Sequence, residues 1–183
     1  DQYYGIYVYG GYNSITNLIE GCSVQITGKI GYYYGSLQIT DINSDSQISI
    51  LSPVDKNQIV TREEKISNID DIYAYSKIGS LVTLHNLTVY DYNDSQNNSA
   101  TTLKCHYIDE NGNQKQFNVR IAKEIALYDP ITKKQISSGE YFVGKTFETI
   151  TGMLAYYNGA DKTPYSNGHM QLALSSMDDV IFK

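Results

Sequence analysis

The sequence predicts an all-β protein that contains two similar β units, and three observations support this fold class. Tyrosine accounts for 18 of the 183 residues, and tyrosine, Ile, Val and Thr favour half-buried pleated surfaces. Asn, Gly, Asp and Ser lie between the apolar runs, where turns are expected. The segment TGKIGYYYG at residues 27–35 recurs without gaps as TGMLAYYNG at residues 151–159. Such an internal repeat indicates two copies of one supersecondary unit.

The first unit is predicted over residues 1–52. Apolar and polar residues alternate from 22 to 30, which is typical of a β-strand. Gly35 then turns the chain into a returning strand. The predicted elements are a short strand before Gly10, one helical turn at 14–21, and strands at 22–30, 36–42 and 47–51.

Residues 53–78 are predicted to connect the two units through a short helix. Apolar side chains recur there every three to four residues, at Ile66, Ile69, Ile72 and Tyr73. This spacing is typical of an amphipathic helix, which we expect at residues 66–76, with Gly79 ending it.

The second unit is predicted over residues 79–183. The turn sequence Asp-Glu-Asn-Gly at 109–112 indicates a hairpin. An irregular stretch at 125–138 contains the turn Asp129-Pro130, and a polar insertion at 158–168 has no counterpart in the first unit. The predicted strands are 81–92, 101–108, 114–121, 141–155 and 169–175.

Two of these strands are predicted to bend. In the first, the apolar residues change parity between Leu84 and Leu87, as a β-bulge or a sharp bend would cause. The fourth strand leads into the second copy of the repeated block, which begins with Thr151-Gly152. It has one residue more before this Thr-Gly pair than the matching strand of the first unit has before its own. We therefore expect a bulge between Phe147 and Ile150.

Four segments carry a resemblance to a known fold family: residues 5–9, 21–32 and 35–39 in the first unit and residues 77–89 at the start of the second. The first three are similar to strands three to five, and the last to strand one, of bacterial extracellular OB-fold domains. These are the nucleic-acid-binding-like modules found beside secreted nucleases and in surface lipoproteins, and the resemblance covers most of the chain. The resemblance implies two five-stranded barrels, the first incomplete at its amino terminus, in an extracellular, cell-surface or periplasmic bacterial protein.

The resemblance also implies that the strand at residues 5–9 lacks its usual neighbours. An unpaired edge rich in tyrosine is an aggregation hazard, so another element must cover it. The candidates are the connector helix, the second unit, a second copy in a homodimer, or upstream residues. We expect the last, with strands one and two in a longer exported protein.

Charge and hydropathy restrict the partners. The formal net charge of −6 argues against a strong electrostatic nucleic-acid binder, which usually presents a basic face. No apolar run approaches 18 residues, so we expect no membrane insertion.

No residue pattern indicates catalysis or a cofactor. The three histidines have no nucleophile motif nearby, and the adjacent carboxylate pairs point to opposite faces if they lie on strands. His85, His106 and Cys105 could form a partial zinc site. A better explanation is that the histidines lie on strands of the barrel wall and form ordinary hydrogen bonds there. Cys22 and Cys105 are expected in separate cores. We expect no enzyme, no metal and no cofactor.

Ligand binding is the function that the aromatic residues favour. OB-folds bind oligonucleotides or oligosaccharides on the face of strands two and three, and aromatic rings stack on bases of any sequence. Two hypotheses remain open. One is weak binding of single-stranded nucleic acid, and the other is binding of a glycan or protein through tyrosines and the 158–168 loop. The candidate ligand-binding residues are Lys104, His106, Tyr107, Lys115 and Arg120, with Tyr32, Tyr33, Tyr156 and Tyr157.

Overall fold

A computed structural model of the chain describes residues 5–10, 18–64, 77–95, 100–159 and 169–183. The described part is all-β, as predicted, and none of its helices is long and apolar enough to cross a membrane. Its helical segments are 3₁₀ turns at Asp45–Gln47, Lys56–Gln58, Gly139–Phe142 and Met177–Asp179. The strands are β1 Tyr7–Val8, β2 Val24–Ile26, β3 Lys29–Tyr33, β4 Ser36–Thr40, β5 Ile48–Ile50, β6 Arg62–Glu63, β7 Leu81–Asp94, β8 Thr101–Ile108, β9 Gln114–Ile121, β10 Thr146–Tyr157, β11 His169–Leu174 and β12 Val180–Phe182.

Five strands of the second unit form a closed barrel in the order β7, β8, β9, β11, β10 and back to β7. Every pairing in it is antiparallel except that of β9 with β11. Outside the closed ring, β6 pairs with β7 and β12 pairs with β10.

The barrel core follows from strict alternation along the strands. In β8, Leu103, Cys105 and Tyr107 are buried, whereas the residues between them are partly exposed. The other strands add inward side chains such as Val119, Leu154 and Leu172. Burying each large aliphatic side chain stabilises the fold by about 1.5–3 kcal/mol, so this cluster is the main source of barrel stability.

Both predicted bends are confirmed. Leu84 and Leu87 are both fully buried, and the extra residue between them is accommodated because Asn86 adopts a left-handed conformation with φ of 59°. In β10, the register against β12 shifts between Phe147 and Thr149, so that Phe147 and Ile150 both point into the core.

The described residues of the first unit form two open sheets. In one, β4 lies between β1, which is parallel to it, and β3, which is antiparallel. In the other, β2 pairs with β5. A second closed barrel is therefore not confirmed. The predicted connector helix at 66–76 and most of the helical turn at 14–21 lie outside the described residues.

Two predicted strand boundaries are wrong. The strand expected at 22–30 is divided into β2 and β3, which join different sheets. The strand expected from residue 141 begins at Thr146, because Gly139–Phe142 forms a 3₁₀ turn in which the Ser138 hydroxyl accepts a hydrogen bond from the Glu140 amide. Ser and Thr hydroxyls commonly compete with strand pairing in this way.

The first unit packs against the barrel through backbone contacts. A side-chain carbon added to Gly5 would lie 1.7 Å from the Gly79 carbonyl oxygen, so the two glycines permit a very close approach. At the other end, the Tyr34-Gly35 turn lies on Asn158, whose backbone amide donates a hydrogen bond to the Tyr34 carbonyl at 3.1 Å.

Candidate functional site

A groove of about 680 Å³ separates the sheet β1–β4–β3 from the outer surface of the barrel. One wall comes from the first unit, and the other from the outward residues of β8, β9, β10 and β11. Its size lies within the usual range of small-ligand sites. We call it the tyrosine groove.

The first-unit wall carries most of the aromatic rings. Because side chains alternate along an extended chain, Tyr7 of β1, Tyr9 just after β1 and Tyr33 of β3 point to the same face. The rings of Tyr9 and Tyr33 lie parallel with centroids 6.4 Å apart, and Tyr34 contacts Tyr33 edge-on at 4.3 Å. Tyr157 of the barrel extends the row, 5.5 Å from Tyr34. The result is a continuous aromatic surface that joins the two units.

Side-chain amides line the groove beside these rings. Gln38 of β4 comes from the first unit, and Asn118 of β9 and Gln171 of β11 come from the barrel. Each amide supplies both a hydrogen-bond donor and an acceptor. In both repeats the strand that follows the repeated block has a glutamine between two apolar residues, Leu37-Gln38-Ile39 in one and Met170-Gln171-Leu172 in the other. Both copies therefore direct the same residue into the groove.

Two cations lie on the barrel wall, and one of them is neutralised. Lys104 Nζ pairs with Asp91 Oδ2 at 2.7 Å. The hydrogen bond within this pair raises the pKa of Lys104 and lowers that of Asp91. Arg120 donates a hydrogen bond to the Thr102 hydroxyl at 3.1 Å and forms no ion pair with any described residue. Arg120 is therefore the cation available to a ligand.

His169 also lines the groove. Its Nε2 lies 3.0 Å from the Asn118 side-chain nitrogen, and its ring contacts the edge of Tyr157. The Asn118 side-chain nitrogen donates this hydrogen bond, so Nε2 is the acceptor. The proton of the neutral imidazole is therefore assigned to Nδ1 on the basis of this hydrogen bond. This contact aligns the Asn118 amide with the aromatic row.

The structure brings four of the nine predicted ligand-binding side chains into the groove, namely Lys104, Arg120, Tyr33 and Tyr157. Tyr156 borders the groove, but its side chain is 4% exposed and belongs to the barrel core. The other four lie outside the groove. Tyr107 is 5% exposed in the barrel core, and Tyr32 lies on the opposite face of β3. His106 and Lys115 lie further along the β8–β9 hairpin, where the His106 ring contacts Tyr90.

Sequence reasoning missed the amides Gln38, Asn118 and Gln171. One signal was present, because the glutamine recurs at the same place in both repeats. Asn118 carried a weaker signal, since it shares the parity of Arg120 along β9.

The residues weighed as a zinc site are not brought together. His85 contacts Glu63, whereas His106 pairs with Thr88 in the β7–β8 ladder. Cys105 is fully buried, and burial raises the pKa of its thiol to about 12. Among the described residues, no group of three or more His, Cys, Asp or Glu side chains has a metal-binding arrangement. Cys22 and Cys105 are both free thiols.

Comparison of the chain with models of known protein families, with curated proteins and with solved structures found no match.

Proposed function

We propose that the chain is a non-catalytic binding module whose tyrosine groove holds an oligosaccharide. The observation that carries this proposal is the aromatic row of Tyr9, Tyr33, Tyr34 and Tyr157 beside side-chain amides in one groove. A sugar ring presents C–H groups that pack on aromatic faces, and hydroxyls that exchange hydrogen bonds with amides.

We further propose that the barrel is an OB-fold of an exported bacterial protein. The five-stranded ring, its bent first strand and its β8–β9 hairpin support this assignment. In OB-folds the face of the second and third strands and the adjoining loops bind oligosaccharides and oligonucleotides. Outward residues of β8 and β9, the second and third strands of the five-stranded ring, line the tyrosine groove, which supports the same class of ligand.

Single-stranded nucleic acid is the second candidate ligand. Arg120 and the tyrosine row favour it, because bases stack on aromatic rings and phosphates pair with guanidinium groups. It is the weaker candidate, since Lys104 is paired with Asp91 and Tyr107 is buried. A ligand that contacts few cations should show only a shallow salt dependence.

Adjacent tyrosines provide a matched test of the groove. Tyr33 lines it, whereas Tyr32 is equally part of β3 but lies on the other face. We expect Tyr33→Ala to weaken glycan binding by about tenfold, the usual effect of truncating an aromatic anchor, and Tyr32→Ala to leave it unchanged. The measurement is a titration of a glycan panel and of fluorescent oligonucleotides at low and moderate salt.

Salt separates the two ligands. Glycan affinity should be nearly independent of ionic strength and should change little in Arg120→Gln. The alternative result is that no glycan binds, while oligonucleotide binding weakens steeply with salt and requires Arg120. That result would favour single-stranded nucleic acid over oligosaccharide as the ligand. If neither ligand binds at low salt, the proposal is wrong.

A further inference from the structure

The sheet β1–β4–β3 has a second face, which points away from the tyrosine groove and is apolar. Several of its side chains are exposed, with Ile6 at 40%, Ile30 at 64% and Tyr32 at 47%. Leu37 and Ile39 of β4 and Val8 of β1 share this face, and each is partly exposed. An apolar face this continuous is the kind of surface that partners cover.

The barrel contains the same three strands in the same register. Val8 pairs with Ile39 between parallel strands, as Val119 pairs with Leu172. On the antiparallel side, the cross-strand pairs Ile30–Ile39 and Tyr32–Leu37 match the pairs Leu154–Leu172 and Tyr156–Met170. The pairing of β2 with β5 likewise matches that of β10 with β12. The correspondence holds residue by residue for β1, β3 and β4, and β10 differs from β2 by the one extra residue of its bulge.

The two copies differ in what covers this face. In the barrel the corresponding residues form the core, with Leu154 and Leu172 at 0% exposure and Tyr156 and Met170 at 4%. Their cover is the hairpin of β7 and β8, which pairs with β10 on one side and with β9 on the other. No described residues of the first unit form a counterpart of this hairpin.

We propose that the apolar face of β1, β3 and β4 is an acceptor for a two-stranded β-hairpin of the same polypeptide, which enters β1 from its amino-terminal side and closes a second barrel. The chain order supports this occupant, because the β7–β8 hairpin leads directly into β9 through the short turn after Ile108. The first strand of the added hairpin would pair with β2 on the edge opposite β5, and the second strand of the added hairpin would pair with β1.

The backbone supports the same occupant. Among the described residues, β1 pairs only with β4, and β2 pairs only with β5. Each strand therefore presents one row of peptide groups that an added strand can satisfy. The occupant needs alternating apolar and polar residues, as β8 has, so that one side of it meets Ile30, Leu37 and Ile39.

The chain carries the hairpin needed for a test. A second copy of residues 80–113, joined directly to Tyr3, reproduces the spacing by which β8 leads into β9. We expect this extension to slow amide exchange in β1 and β2 at least tenfold, to raise the melting temperature and to lower binding of the apolar dye ANS. In the control extension, the added copies of Leu103, Cys105 and Tyr107 are replaced by serine, and these effects should vanish.

Three outcomes would overturn the proposal. Amide exchange and dye binding that are the same with and without the intact extension would show that the face does not accept a hairpin. A concentration-dependent dimer of the 183-residue chain that Ile30→Asn abolishes would assign the face to a second copy. Absence of dye binding to the unextended chain would show that the face is already covered.

Discussion

Asp129 holds the turn that follows β9 in place. Its carboxylate accepts hydrogen bonds from the backbone amides of Ile131 and Thr132, at 2.8 and 2.7 Å, and from the Tyr141 hydroxyl. These bonds lower the pKa of Asp129 from 3.8 to about 2, and the bond from Tyr141 contributes most. The ionised carboxylate therefore links the irregular loop to the 3₁₀ turn before β10.

The lowered pKa predicts how stability depends on pH. The folded chain binds this proton less tightly than the unfolded chain, so the carboxylate stabilises the fold above pH 3.8 and loses this effect as the pH falls toward about 2. We expect Asp129→Asn to lower the melting temperature near neutral pH. The difference from wild type should shrink between about pH 4 and pH 2.

Thermal unfolding of both proteins across this pH range is the measurement. Tyr141→Phe should behave in the same direction, because it removes the strongest donor to the carboxylate. A difference in melting temperature that stays constant down to pH 2 would contradict the assignment of the lowered pKa to Asp129.

At the scale of elements, the bend of β7 depends on one residue. Asn86 has φ of 59°, which costs most side chains about 1–2 kcal/mol and glycine almost nothing. The bend lets Leu84 and Leu87 both enter the core, although they are three positions apart in the strand. It also allows β7 to pair with β8 and β10 at once.

We expect Asn86→Val to destabilise the protein by about 1–2 kcal/mol, because a β-branched residue disfavours the left-handed conformation. Asn86→Gly is the matched control and should retain wild-type stability within about 0.5 kcal/mol. Chemical denaturation gives both values. Equal stability of the valine and glycine variants would mean that the bend does not require a positive φ.

At the scale of the whole molecule, the tyrosine groove exists only because the two units pack closely. Gly5 and Gly79 meet so closely that a side-chain carbon on Gly5 would lie 1.7 Å from a backbone oxygen and 2.5 Å from the Ser80 nitrogen. Neither neighbour is a flexible side chain, so the units themselves must separate to accommodate a methyl group.

We expect Gly5→Ala to speed amide exchange in β1 and at the Tyr34-Gly35 turn, while exchange in the barrel strands stays unchanged. Ligand binding in the groove should fall in parallel. Gly31→Ala is the control, because its added carbon would meet only the Thr40 side chain, at 3.2 Å, and the repeat has alanine at the corresponding Ala155. Faster exchange in the barrel core of Gly5→Ala would indicate global destabilisation and contradict the prediction.

Local pattern was sufficient for much of the fold. β8 and β9 occupy the predicted residues 101–108 and 114–121, because alternation marks the strands and the sequence at 109–112 marks the turn. Both predicted bends exist, since a parity change requires an extra residue wherever one face is buried. The repeated block also indicated correctly that two related strand sets exist.

The candidate site was predictable only in part. Alternation separates Tyr32 from Tyr33 but does not say which of the two faces the barrel, and Tyr107 was expected on the surface although it points into the core. The parallel pairing of β9 with β11 and the meeting of Gly5 with Gly79 join residues far apart in the chain.

Local sequence pattern was thus enough to predict the all-β class, the repeat and both bends. The three-dimensional contacts were needed to show that one face of β1, β3 and β4 lines a groove while the other keeps Ile30 and Tyr32 exposed. This division arises because periodicity records which side chains share a face. Which surface that face meets depends on contacts between distant segments, and no local pattern encodes them.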